Sequence, residues 1–110
     1  MVRVTWSVEI LDKRVEAELE ALPRDVRARF QRIVELLEEG GIDAAREPHV
    51  KSLGRGLFEM RMKGKDGIAR AIYVHAVKDR LVVVLAFVKK TAKTPKQYID
   101  LALKRAKEVR

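Results

Sequence analysis

The sequence contains no cysteine, so neither a disulfide framework nor a thiolate metal site is open to it, and nothing points to secretion. Histidine is nearly as scarce: His49 and His75 are too few and too far apart for a convincing metal site. The longest apolar run, Leu81 to Val88, is far too short to span a bilayer as a helix. Charge at Arg3, Glu9 and Asp12 interrupts any apolar stretch of the kind a secretory signal needs. There is no Gly-rich phosphate loop, nucleotide fingerprint or nucleophile elbow, and no carboxylate pair placed as in a hydrolase. Repeats and linkers are absent too. These absences leave a soluble, cytoplasmic single domain over residues 1–110, with no metal, no cofactor and no membrane partner expected. Its 110 residues suffice for one modest core.

What the chain does have is positive charge, unevenly placed. The formal net charge is +8. Residues 1–50 carry 8 Lys/Arg against 11 Asp/Glu, whereas residues 51–110 carry 16 against 5. A basic half beside a mildly acidic one is the footprint of a protein that meets nucleic acid or another polyanion. The plainer reading is a solubilising surface, or adaptation to heat. Charge concentrates after the apolar run: Lys89, Lys90, Lys93 and Lys96 follow one another with no acidic residue among them.

Periodicity sets out the elements. Val2 to Ile10 is rich in β-formers and predicts a first strand. Asp12 can cap a helix whose stripe is Val15, Leu19 and Leu22. Pro23 separates it from a second helix with Val26, Phe30, Ile33 and Leu37 on one side, which Gly40-Gly41 stops. Two amphipathic helices joined by a short turn suggest an αα-hairpin lying on a sheet. Residues 42–56, with Pro48, Gly54 and Gly56, read as a loop, partly extended. From Leu57 the period becomes two: Phe58, Met60 and Met62 point one way, Glu59, Arg61 and Lys63 the other. Gly64-Lys65-Asp66-Gly67 reads as a hairpin turn, Ile68 to Val77 as a strand, and Lys78-Asp79-Arg80 as a second turn. Leu81 to Val88, unbroken in apolar content, fits a central strand buried on both faces. Thr94, Pro95 and Gln97 have the pattern of a capping box, opening a last helix packed through Ile99, Ala102, Leu103 and Ala106. Basic Lys104, Arg105, Lys107 and Arg110 near its end suit the helix dipole. The expectation is an α+β fold in the order βααβββα: a mainly antiparallel sheet, an αα-hairpin on one face and a C-terminal helix.

On that layout a sheet side free of helices presents Glu59, Arg61 and Lys63. Arg70 lies among apolar neighbours on the next strand, so its charge must find a partner or reach a cleft. It pairs across the hairpin with Glu59, or it contacts a phosphate. Lys89 and Lys90 alone read as edge protection and solvated surface. Together with Arg61, Lys63 and Arg70 they read as a convergent basic groove. Tyr98, in the first turn of the last helix, either packs that helix on the sheet or offers its phenol for stacking or proton transfer. Such a groove permits a metal-free cut of RNA. The 2′-hydroxyl attacks the adjacent phosphate, fixed cations stabilise the phosphorane, and a nearby acid and base move protons. DNA lacks that hydroxyl and would be spared.

Several segments then resemble a known family. Gly56-Leu57-Phe58-Glu59-Met60-Arg61, Lys65-Asp66-Gly67-Ile68-Ala69-Arg70-Ala71-Ile72-Tyr73, Phe87-Val88-Lys89-Lys90-Thr91-Ala92-Lys93-Thr94-Pro95 and then Ala102 are similar to the phage-derived HigB-like branch of the RelE/ParE toxin superfamily. The Phe87–Pro95 segment is the specific part, and the likeness covers nearly the whole chain. The resemblance implies a RelE-like fold and the toxin of a type II toxin–antitoxin pair. It implies a metal-free endoribonuclease that cleaves mRNA on the ribosome, and a helix-turn-helix antitoxin as partner. By position it gives roles to Arg61 and Lys63 of the second strand, to Arg70, to Lys90 where relatives place an arginine, and to Tyr98. Here Glu59 stands where ribosome-dependent relatives have lysine, and the spacing from Lys90 to Tyr98 is longer.

The resulting expectation places Arg61, Arg70 and Lys90 on the scissile phosphate and Glu59 or Tyr98 on proton transfer. Lys63, Lys89, Lys93 and Lys96 then bind flanking RNA. One alternative is a non-catalytic toxin of the ParE type, or a phage host-takeover factor, that binds a protein such as DNA gyrase. Another is a plain RNA-binding module.

Overall fold

The computed structural model describes residues 6–44, 49–65, 67–89 and 93–110. In chain order it shows β1 (Ser7–Ile10), α1 (Lys13–Glu20) and α2 (Arg24–Gly40), then a 3-10 turn over Gly41–Ala44. After it come β2 (Val50–Gly54), β3 (Leu57–Gly64), β4 (Gly67–His75), β5 (Arg80–Lys89) and α3 (Lys96–Ala106). The five strands form one sheet in the order β1-β5-β4-β3-β2. Every pairing is antiparallel except that of β1 with β5, which is parallel.

Local chemistry sets the helix boundaries. Asp12 accepts hydrogen bonds from the backbone N–H groups of Arg14 and Val15, satisfying two donors that α1 would leave orphaned. Pro23 stands immediately before α2 and supplies the carbonyl that Arg27 N–H donates to. Gly41 ends α2 at φ +59°, and the Trp6 indole packs so closely on it that a Cβ there would overlap the ring.

The core has two halves, one on each face of the sheet. On the first face Val15 and Leu19 of α1 and Val26, Ile33 and Leu37 of α2 meet Met60, Met62, Ala69, Ala71, Tyr73 and Val83. On the second face Ala102 of α3 meets Leu57, Ile72, Val82, Val84, Leu85 and Phe87, with Ile99 and Leu103 alongside. Full burial of each large aliphatic side chain contributes roughly 1.5–3 kcal/mol, so both layers are needed. β5 lies between β1 and β4 with Leu81 to Phe87 buried, as its unbroken apolar run implies.

Three expectations change. Residues 50–54 form a strand, so the order is βααββββα and the sheet has five strands. This edge strand is too short to show a period of its own and exists by pairing with β3: Val50 opposes Met60, Lys51 opposes Glu59 and Ser52 opposes Phe58. The side that carries Glu59 and Arg61 is not free of helices, because α3 packs on that face. The capping box does not form either: Pro95 is the N-cap of α3 and no side chain caps it, because the Thr94 hydroxyl is committed to Glu59.

The end of β5 is held by side chains. β1 stops pairing at Ile10, opposite Val83. Just beyond, Glu18 of α1 accepts from Ala86 N–H at 3.1 Å, and Arg105 of α3 donates to Val84 C=O at 3.0 Å. Arg105 also pairs with Glu18 at 2.9 Å. Arg105 thus closes the strand edge and joins the helices of the two faces, rather than only answering its helix dipole.

Candidate functional site

The second face of the sheet carries the polar residues. Register places Arg61 directly opposite Arg70, and both share that face with Glu59. Two like charges so placed repel. Glu59 resolves the conflict: its Oε1 lies 3.8 Å from Nε of Arg61 and 3.8 Å from Nε of Arg70. Its Oε2 accepts the hydroxyl of Thr94, and the same Thr94 oxygen accepts from Arg70 Nη1 at 3.4 Å. One carboxylate, two guanidinium groups and one hydroxyl therefore form a cluster across β3, β4 and the residues leading into α3.

Burial divides the cluster by task. Arg70 is 0% exposed and Glu59 2%. The Arg61 side chain is 34% exposed, and its buried Nε makes no hydrogen bond among the described residues. Arg61 is therefore the arginine that reaches solvent. A hollow of about 190 Å³ opens over the cluster, bounded by Lys51, Leu53, Glu59, Arg61, Lys93 and Thr94, with Ile99 of α3 at its side. Its exposed cations are Lys51 and Lys93.

The expected site residues fall into several places. Glu59, Arg61 and Lys93 line the hollow, with Arg70 buried behind them. The Nε of Arg70 lies 3.8 Å from Glu59, the cross-strand partner that the sequence offered as one alternative. Lys63 is exposed further along β3 and lines a different cavity. Lys96 is exposed on the first turn of α3 and outside the hollow. Lys89 ends β5 opposite Ile68. Lys90 lies outside the described residues. The Tyr98 ring lies flat on Phe87, centroids 4.0 Å apart and planes 4° from parallel. Tyr73 is on the other face, stacked on Phe58, and burial pushes its phenol up to about 12.

Two participants escape a reading of the sequence. Lys51 reaches the hollow only because β2 pairs in a register that sets it opposite Glu59. The Thr94 hydroxyl looks like a helix cap until its distant partner is known. Chemically, the hollow offers fixed cations for an anionic group and a carboxylate beside them to take a proton. Among the described residues no group of His, Cys, Asp or Glu could hold a metal ion.

Comparison with known proteins adds a family and a fold. The profile of the family described as phage derived protein Gp49-like matches residues 17–107. Among solved structures, the chain is similar to a chain in the crystal structure of the archaeal RelE–RelB complex from Pyrococcus horikoshii OT3. The TM-score is 0.55 with 24% identity, over 81% of this chain and 100% of that one. That likeness is one of fold. No curated protein sequence matches the chain.

Proposed function

The chain belongs to the family of phage-derived Gp49-like proteins, and from that premise we propose that it is the toxin of a toxin–antitoxin pair, an endoribonuclease acting on mRNA in the cytoplasm. The observation that carries the reading is the hollow in which Glu59 lies beside solvent-facing Arg61, Lys51 and Lys93. Fold likeness to a chain of the RelE–RelB complex supports it, as does the resemblance of residues 87–95 to the HigB-like branch.

In this reading Arg61 and Lys93 hold the scissile phosphate. Glu59 takes the proton of the 2′-hydroxyl as that oxygen attacks phosphorus. The bond from phosphorus to the 5′-oxygen breaks, and the leaving oxygen is protonated by water or by a lysine of the hollow. The products are a 2′,3′-cyclic phosphate and a 5′-hydroxyl end. Arg70 touches no phosphate: it holds Glu59 and Thr94 in place. The cognate partner is a helix-turn-helix antitoxin, and the ribosome presents the mRNA.

A second reading is favoured by one observation. Glu59 is already engaged by Arg61, Arg70 and Thr94, an arrangement that also suits a purely structural ion-pair cluster. The chain would then be a non-catalytic toxin that binds a protein such as DNA gyrase. Incubating the purified protein with mRNA, free and on ribosomes, separates the two. The proposal expects cleavage to the products above, lowered by roughly 10²–10³-fold in Arg61→Ala. Growth arrest in cells with mRNA left intact in both preparations would establish the second reading instead.

A further inference from the structure

A larger cavity, of about 760 Å³, opens beside β3. β2 stops pairing at Val50, opposite Met60, and Arg61 N–H donates to His49 C=O at 2.8 Å. Beyond that bond β3 has no partner from β2 among the described residues. The cavity's rim is cationic: Arg29 and Arg32 from α2 face Arg61 and Lys63 from β3, with His49 at the corner. Its floor is apolar, from Ile33, Leu36 and Ile68. Among the described residues none of its lining is a carboxylate. Glu35 meets Arg32 at 3.4 Å, but both are well exposed, and such a pair contributes little and yields readily to a stronger anion. The volume lies in the range, ~300–1,000 Å³, that accommodates a small organic group.

Arg61 lines both this cavity and the hollow over Glu59. The two are therefore neighbours, joined at the solvent-facing arginine of the candidate site. We propose that the larger cavity is a binding track for single-stranded RNA leaving the scissile phosphate, and that Arg29 and Arg32 of α2 hold its backbone phosphates. The apolar floor and the His49 ring take the face of a base, since every base has an apolar π-face and stacks without regard to sequence. An acidic peptide would also suit the rim. Continuity with the hollow through Arg61 favours the nucleic acid. The inference rests on the RNA reading above and adds residues from an element that the site had not included.

The test uses the full chain and a short fluorescent single-stranded RNA, 2′-O-methylated throughout so that it cannot be cut. Arg29→Ala/Arg32→Ala removes two exposed guanidinium groups from a helix surface, and thermal melting verifies that the fold is kept. Loss of two phosphate contacts should weaken binding ~10–100-fold in moderate salt and flatten the slope of log K against log salt by ~1.4. Unchanged affinity overturns the proposal, and so does weaker binding with an unchanged slope. Normal RNA binding with lost antitoxin binding also overturns it, making the groove a protein-docking surface. The catalytic reading fails separately. If the unaltered chain leaves unmodified RNA intact but the double variant still loses affinity and slope, the track stands without the nuclease. If the chain cuts RNA and the variant binds as before, the nuclease stands without the track.

Discussion

At the scale of the residue, the cluster around Glu59 turns on the difference between a buried charge and an exposed one. Arg70 and Glu59 are almost wholly removed from water, whereas Arg61 reaches it. Removing one member of a buried pair strands the other. Arg70→Ala should therefore cost about 3–5 kcal/mol in urea denaturation, while replacing both partners, as in Glu59→Leu/Arg70→Met, should cost less than that single change. If Arg70→Ala unfolds within 1 kcal/mol of the parent, the pair is not a structural requirement. A loss of activity in Arg70→Ala alone would then report folding as much as chemistry, so Arg61→Ala is the cleaner probe. Much of this was legible in sequence. An arginine between Ile68 and Ile72 on a strand announces a partner, and Glu59 was the nearest candidate. The role of Thr94 was not legible, because threonine before proline at a helix start carries the same local pattern whether its hydroxyl caps the helix or reaches a residue 35 positions away.

Beyond the core, elements are fastened to one another by single polar contacts, and the β3–β4 hairpin shows how. Its tip docks on the first turn of α2, where Asp25 accepts from Lys65 N–H at 2.8 Å. Gly64 lies so near Val26 that an added Cβ would come within 2.5 Å of Cγ2. Gly64→Ala should accordingly lose about 1–3 kcal/mol, since buried Val26 has no room to yield. The Lys65 N–H and nearby backbone donors hold the Asp25 carboxyl below its usual value. A depressed folded value means that the contribution is complete above the unfolded value near ~3.9 and is lost as pH falls through the folded one. Asp25→Asn should be less stable than the parent at neutral pH, and the gap should close below pH ~4. A gap independent of pH in chemical denaturation would show that the carboxylate's charge plays no part. The hairpin was readable from its alternation and glycines, and so were all three helices, from their apolar stripes and the Pro and Gly residues at their ends. β2 was not. Val50 to Leu53 is too short to declare a period, and only pairing with β3 makes it a strand.

For the whole molecule, charge asymmetry pointed to the basic half, but the second cavity draws two of its cations from α2, in the half with net negative charge. Composition by halves could not reveal that, because folding brings α2 against β3. Strand order was equally hidden. Nothing local tells β1 to pair in parallel with β5, an association set by the hydrogen bonds Ser7 N–H to Asp79 C=O and Leu11 N–H to Val83 C=O. That pairing has a consequence in time. During synthesis at about 5–20 residues per second, β1 emerges roughly 70 residues, or about 4–15 s, before its partner strand exists. Until β5 arrives, β1 has no strand to pair with in the native register, and closing so long a loop is slow. Ser7 and Leu11 should be among the last amides to gain protection in pulse-labelled hydrogen exchange during refolding, after those of the β3–β4 hairpin. Protection of Ser7 and Leu11 ahead of that hairpin would contradict this order. A chain assembled this way would leave the ribosome with its sheet still open, so a lag would separate its release from the finished fold.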